Sequence, residues 1–135
     1  MIVYKIENNL SVEDFKAVLI EFTLADRRPV NEPGRLLNMV KQGNLIITAR
    51  EQGKLIGVSR SLTDFSFCTY LSDLAVIKEF QKKGIGKELI RQTKLAAPLA
   101  KLILLSAPDA IPYYTKIGMT QHKYCYYLDD INNLK

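Results

Sequence analysis

One histidine and two cysteines are all that this chain of 135 residues offers toward metal-centred or thiol chemistry. A zinc site or a histidine-based triad would have to rest on His122 alone, near the end of the chain, so no metal is expected. Cys68 and Cys125 stand in separate apolar stretches without metal-ligand spacing, and both read as small buried side chains rather than as a disulfide or a nucleophile. No apolar run reaches the roughly 18 residues that span a membrane, and the opening MIVYKIENNL lacks the pattern of a cleavable signal; the expectation is a cytoplasmic protein with no membrane partner. Repeats, low-complexity tracts and linkers are missing too. With 47% hydrophobic residues in 135, the chain is expected to form one domain, 1–135, around one core.

What is present concentrates between Tyr70 and Lys94. The apolar run Leu74-Ala75-Val76-Ile77 leads into Gln81-Lys82-Lys83-Gly84-Ile85-Gly86-Lys87, and the pattern then becomes helical. A glycine-containing turn that opens a helix aims backbone amides outward at the positive end of the helix dipole, which makes an anion site. Between Lys78 and Lys94 six basic residues face two acidic ones, which accounts for +4 of the formal +5. Charge this focused suits a compact polyanion. A nucleic-acid binder would spread it over a broad face with aromatics interleaved, whereas this stretch has only Phe80. Lys83, Lys87 and Arg91 recur every four residues and so share a helix face that could bracket phosphates.

Two familiar glycine motifs fail on these residues. A nucleoside-triphosphate P-loop needs glycine in place of Gln81 and a hydroxyl residue after Lys87, where Glu88 stands. A dinucleotide fingerprint needs a third small residue at Leu89. What remains is Q-x-x-G-x-G after a strand that ends Leu-Ala-Val.

Around this segment the patterns predict a β-α-α-β-β-β-α-β-α-β order. Ile2 to Ile6 reads as a strand, and Ser11-Val12-Glu13-Asp14 as a capping box for a helix with Phe15, Val18, Leu19 and Phe22 on one face. Thr23 to Pro33 reads as a polar loop, followed by a helix that turns Leu36, Leu37 and Val40 inward and stops at Gly43. Leu45 to Ala49 and Leu55 to Leu62 form a hairpin through Glu51-Gln52-Gly53, and a long strand runs from Phe65 to Ile77. In that strand the apolar side shifts from Phe65 and Phe67 to Tyr70, Leu74 and Val76, with Leu71 and Asp73 out of phase, which predicts a β-bulge near Ser72-Asp73. A bulge frees a backbone amide, and a free amide in a crevice can donate to an oxyanion. Lys101 to Ser106 is expected as a strand, Asp109 as the cap of a helix over Ala110 to Ile117 that Gly118 stops, and Met119 to Leu128 as a last strand. The fold class is α/β (α+β), a single mixed and mostly antiparallel sheet flanked by helices.

The Q-x-x-G-x-G turn and this order of elements together resemble the GNAT superfamily of N-acetyltransferases over nearly the whole chain. The resemblance implies a splayed parallel pair of strands with the pantetheine of acetyl-CoA in the gap against Leu74, Ala75 and Val76, and the pyrophosphate on Gln81, Lys82, Lys83, Gly84, Ile85, Gly86 and Lys87. Ala107-Pro108-Asp109 would lie beside the cofactor, where many relatives carry asparagine. Pro112-Tyr113-Tyr114-Thr115-Lys116-Ile117-Gly118-Met119 is similar to a second family element, with Met119 in place of the usual phenylalanine. It implies Tyr114 as the acid that protonates the leaving thiolate, the alternative being a tyrosine that only packs. Asp73, where some relatives carry an acidic residue, is the implied base for the amine; the alternative is a strand carboxylate that merely attracts a cation.

Asp26-Arg27-Arg28-Pro29, Ala49-Arg50 and Ser59-Arg60-Ser61-Leu62-Thr63-Asp64-Phe65 are also similar to a group of small stand-alone bacterial GNAT proteins. The implied activity is transfer of acetyl from acetyl-CoA to a primary amine by direct attack in a ternary complex, with a small-molecule acceptor favoured over protein. The competing reading is an acyl-CoA-binding sensor or interaction module without turnover. A homodimer through the late strands, with Tyr124, Tyr126 and Tyr127 as aromatic surface, is implied alongside a monomer as the alternative. Arg27, Arg28 and Arg35 would favour an anionic acceptor and Glu32 and Asp64 a cationic one, so the acceptor stays open.

Overall fold

The computed structural model describes residues 1–22 and 24–135, so Thr23, the first residue of the expected polar loop, lies outside the described residues. The chain forms two compact units, Met1–Leu105 and Ser106–Lys135. The first contains β1 (Ile2–Ile6), α1 (Val12–Glu21), a 3-10 turn (Leu24–Arg27), α2 (Pro33–Gln42), β2 (Leu45–Glu51), β3 (Lys54–Thr63), β4 (Cys68–Val76), a second 3-10 turn (Lys78–Phe80), α3 (Ile85–Ala96) and β5 (Lys101–Ile103). The strands make one sheet in the order β1-β2-β3-β4-β5, antiparallel except for the β4–β5 pair.

Local chemistry accounts for most of these boundaries. Ser11 opens α1, its hydroxyl accepting the Asp14 N–H at 3.1 Å, and Phe15, Val18 and Leu19 then fall on one buried stripe. At the β2–β3 hairpin Gln52 and Gly53 both take left-handed φ, 50° and 82°, as the turns that match strand twist require. Leu36 and Val40 of α2 are buried, but Leu37 is 48% exposed, so the inward stripe is narrower than expected.

Register fixes the two faces of the sheet. Val58, Arg60 and Leu62 share a face with their partners Ala75, Asp73 and Tyr70; Ser59 and Ser61 share the other with Leu74 and Leu71. α3 covers the second face. A Cβ on Gly57 would come within 3.2 Å of Leu89 and 3.3 Å of Ile85, and buried Ser59 and Thr93 hydroxyls meet at 2.9 Å. Because the Thr93 hydroxyl donates to the Leu89 carbonyl, Ser59 supplies the proton of that bond. On the first face α2 comes so close that Gly43 touches the Arg60 side chain.

The bulge lies where the pattern placed it. Pairing jumps from Arg60↔Asp73 to Ser61↔Leu71 and leaves Ser72 extra. Its effect on burial differs from the expectation: Leu71 and Asp73 are both buried, at 3% and 0% exposure. Both faces of the sheet are covered there, and the bulge turns Leu71 to one and Asp73 to the other.

Other expectations are corrected. β4 begins at Cys68 and not at Phe65, because Phe65 has φ 61° and the Asp64 carboxylate accepts the N–H groups of Ser66, Phe67 and Cys68, which curls the chain into a turn. Phe65 and Phe67 are therefore exposed. Cys68 and Cys125 are exposed free thiols, not buried side chains. β5 stops at Ile103 instead of continuing to Ser106.

The second unit contains a 3-10 turn (Pro108–Ala110), α4 (Ile111–Lys116) and a final 3-10 turn (Ile131–Asn133). Asp109 sits inside the first turn and caps nothing; α4 starts after Ala110 without a side-chain cap. Gly118, at φ 101°, ends α4 as expected, with its N–H and that of Met119 returning to the carbonyls of Thr115 and Tyr114. The strand expected over Met119 to Leu128 does not form. Apolar alternation creates a strand only where an edge accepts its backbone groups, and residues 120–135 are exposed throughout. Tyr124, Tyr126 and Tyr127 are thus exposed side chains on irregular backbone.

Candidate active site

The turn after β4 is built to gather backbone amides. Gln81 donates from its side-chain amide to the Val76 carbonyl at 3.0 Å, which closes the loop onto the strand it leaves. Lys82 and Gly84 then adopt left-handed φ of 64° and 82° on either side of Lys83, and such alternation makes a concave nest of N–H groups. α3 starts at once from Gly84 with no side chain capping it, so the first amides of the helix, at Ile85, Gly86 and Lys87, point out of the positive end of its dipole. A Cβ on Gly84 would touch nothing within 4 Å, so glycine is there for its φ alone. Lys82, Lys83 and Lys87 are exposed around this nest, with the Lys83 ammonium 5.2 Å from the centre of the Phe80 ring. Arg91 pairs with Glu88 at 3.1 Å, and Lys94 donates to the Pro98 and Ala100 carbonyls; the free cations of the segment lie at the turn.

Beside the turn the sheet opens. β4 pairs with β5 only over Cys68–Tyr70, so among the described residues no strand borders β4 on that side from Leu71 to Val76. The Ile77 N–H donates to the Ile56 carbonyl at 2.9 Å, and backbone groups alternate along a strand. Leu74 and Val76 therefore turn their N–H and C=O away from β3 into the gap, while Ala75 turns its own toward β3. An extended chain can pair with that edge, and it leads directly to the nest.

Asp73, the residue before Leu74, is the hub of a buried ion cluster. One carboxylate oxygen accepts from Arg28 Nε and the other from Arg60 Nε, the latter at 2.5 Å, and the carboxylate is 0% exposed. Arg28 also donates to the carbonyls of Ser72 at 2.8 Å and Arg27 at 2.9 Å. Arg60 reaches the Met39 carbonyl at 3.0 Å and the Ser72 hydroxyl at 3.1 Å. The bulge residue is thus held twice, and the 3-10 turn before α2 is tied to β4. Arg28, Arg60, Ser72 and Gly43 were missed as a set by sequence reasoning. One signal existed: a charged Arg60 inside the otherwise uncharged run Leu55 to Leu62 demands a partner.

Tyr114 lies in α4 of the second unit, half-buried, with its ring edge-on to Tyr113 at 5.2 Å between centroids. Burial, and then the neighbouring Tyr113, raise its hydroxyl above the ordinary value of 10.0, so it stays a phenol at neutral pH and can donate. Among the described residues no cluster of three or more His, Cys, Asp or Glu side chains could hold a metal ion. No helix among them is long and apolar enough to cross a membrane.

Comparison with known proteins agrees with this geometry. A family profile described as an acetyltransferase (GNAT) domain matches residues 29–132, and so runs through both units. An uncharacterized N-acetyltransferase of Pyropia yezoensis is 29% identical over 87 residues, covering 58% of this chain and 49% of the relative. The chain spans about half the length of the curated relatives it matches. Among solved structures, a GNAT-family acetyltransferase of Streptococcus pneumoniae superposes with a TM-score of 0.77 at 19% identity, covering 98% of this chain and 99% of that one. An aminoglycoside N-acetyltransferase solved in complex with CoA gives 0.74 at 11% identity, over 97% and 95% of the two chains. With the profile spanning most of its length, on a sheet that opens beside an amide-lined turn, the chain belongs to the GNAT acetyltransferase family.

Proposed function

We propose that the chain is an acetyl-CoA-dependent N-acetyltransferase of the cytoplasm, acting as one functional domain over 1–135, which acetylates a primary amine by direct attack in a ternary complex. One observation carries the reading: the edge of β4 that no strand among the described residues borders at Leu74 and Val76, where only the Val76 carbonyl is taken, by the Gln81 side chain, leads to the nest at Lys82 to Gly84 and the open start of α3. That strip offers backbone pairing for an extended pantetheine arm and amide donors for a pyrophosphate.

When bound, acetyl-CoA supplies an activated acyl thioester. Gln81 holds the turn against β4, Gly84 permits its shape, and Lys82, Lys83 and Lys87 place positive charge around the phosphates. Ile85 and Gly86 contribute helix-terminal amides, and Ala75 anchors the strip in the core. The outward Leu74 N–H would donate to the acetyl oxygen as negative charge develops there. On the family resemblance alone Tyr114 would be the acid: the amine nitrogen adds to the carbonyl carbon, the carbon–sulfur bond then breaks as a phenolic proton goes to the departing sulfur, and the proton of the amine leaves to water, which restores the phenol. A small-molecule acceptor is favoured by a concavity of about 410 Å³, lined in part by Leu62, Asp64, Tyr70 and Ile103. Leu62 and Tyr70 lie on the sheet face that carries Asp73, opposite α3.

Thiol release from acetyl-CoA with a panel of amines, alongside calorimetric CoA binding, tests this reading. Tyr114→Phe is expected to lower kcat by about 10²- to 10⁴-fold with CoA affinity unchanged. Tight CoA binding with no transfer to any amine would establish a sensor instead.

A further inference from the structure

We infer that Arg28, Asp73 and Arg60 form a positioning clamp that holds the β4 bulge and the 24–32 segment in place for acetyl transfer, with Asp73 orienting the site and not taking the amine proton; the inference rests on the acetyltransferase reading. Four features converge on it. Asp73 has no exposed surface, and each of its oxygens already accepts from a different guanidinium. To receive a proton it would have to leave an ion pair inside the protein, where an unpaired charge is costly. The more exposed partner is Arg28, whose side chain is 21% exposed, so an approaching ammonium would meet a like charge. Finally, the clamp grips Ser72 by both carbonyl and hydroxyl, one residue from Asp73 and two from the outward N–H of Leu74.

Arginine suits this work better than lysine. From one planar fork Arg28 donates Nε to the Asp73 carboxylate and a terminal nitrogen to the Ser72 carbonyl, and so joins the bulge to a segment 45 residues away in the chain. A lysine would have to reach both acceptors from a single nitrogen, without the fixed spacing of the fork.

The test compares full-length parent, Arg28→Gln, Arg28→Lys and Asp73→Asn by amide hydrogen exchange over residues 24–32 and 71–76, CoA calorimetry, and acetyl transfer across pH. Arg28→Gln is expected to speed exchange in both segments together and to lower kcat roughly 10- to 100-fold, the scale of a misplacement of about 1 Å. CoA affinity should hold, Arg28→Lys should fall between, and Asp73→Asn should match Arg28→Gln with the acid limb of the pH profile unmoved. Loss of that limb in Asp73→Asn, with parental kcat in Arg28→Gln, would make Asp73 the base and overturn the clamp. So would unchanged exchange in Arg28→Gln, a variant at the rim that folds even where Asp73→Asn does not. If the parent transfers acetyl to no amine, the acetyltransferase reading fails separately, and coupled or uncoupled exchange still decides the clamp.

Discussion

Replacing Gly43 by alanine isolates one cause of stability, because the backbone there (φ −66°, ψ 121°) is open to any residue and only space is at issue. The added methyl would lie 2.9 Å from Arg60 Cγ and 3.3 Å from both Arg60 Cδ and the Met39 carbonyl oxygen, against a comfortable carbon–carbon separation of about 3.5–4.0 Å. Arg60 has nowhere to go. Its guanidinium is tied to Asp73, Met39 and Ser72 at 2.5, 3.0 and 3.1 Å. Either α2 slides outward, an overpacking cost of about 1–3 kcal/mol, or Arg60 releases Asp73, with a ceiling of about 3–5 kcal/mol for a broken buried pair. Reduced freedom of the unfolded chain offsets about 0.4–1 kcal/mol. A net loss of about 1–2 kcal/mol is expected, read as a lower urea midpoint at unchanged slope and a melting temperature roughly 3–8 °C lower. In an Arg60→Ala background the cost of Gly43→Ala should shrink by about 0.5–3 kcal/mol, the range of coupling between touching residues. Parental stability of Gly43→Ala would refute the steric argument, and an undiminished cost in the double variant would move the clash to the Met39 carbonyl.

Gly84→Ala makes the opposite test, of conformation without contact: a left-handed φ of 82° in open space predicts a loss of about 1–2 kcal/mol by urea unfolding and weaker CoA binding by calorimetry. Parental CoA affinity in that variant would show that the nest is not the phosphate site. Asp64 supplies a pH signature. Hydrogen bonds from the backbone N–H groups of Phe67, Ser66 and Cys68 lower its carboxyl from 3.8 to about 2, so the turn they form is fully held above pH 3.8 and loosens as pH falls through about 2. A carbon-detected NMR titration of Asp64 should find its midpoint near 2, and one near 3.8 would deny those hydrogen bonds.

Much of the site was legible because its signals are local. The cap at Ser11, the paired left-handed turn at Gln52-Gly53, the bulge at Ser72 and the glycine turn before α3 each depend on residues within a few positions, and each stands where the pattern placed it. Gly43 shows where that reading thins: it ends α2 as predicted, but glycine is needed there because Arg60 passes against it. The last strand failed for a related reason, since the alternation from Met119 to Leu128 describes one side of a ladder whose other side it cannot supply.

By itself, then, the sequence determined the order of elements from β1 to α4, the register break in β4 and the charged amide-lined turn, all features set by backbone sterics and side-chain alternation over short spans. Tertiary structure alone decided that the expected splay of β4 and β5 begins after Tyr70, that Leu71 and Asp73 bury on opposite faces, and that Asp73 is locked between Arg28 and Arg60. The last of these depends on partners 13 and 45 residues away, and an ion pair closed across such distances leaves no periodic trace in the chain that forms it.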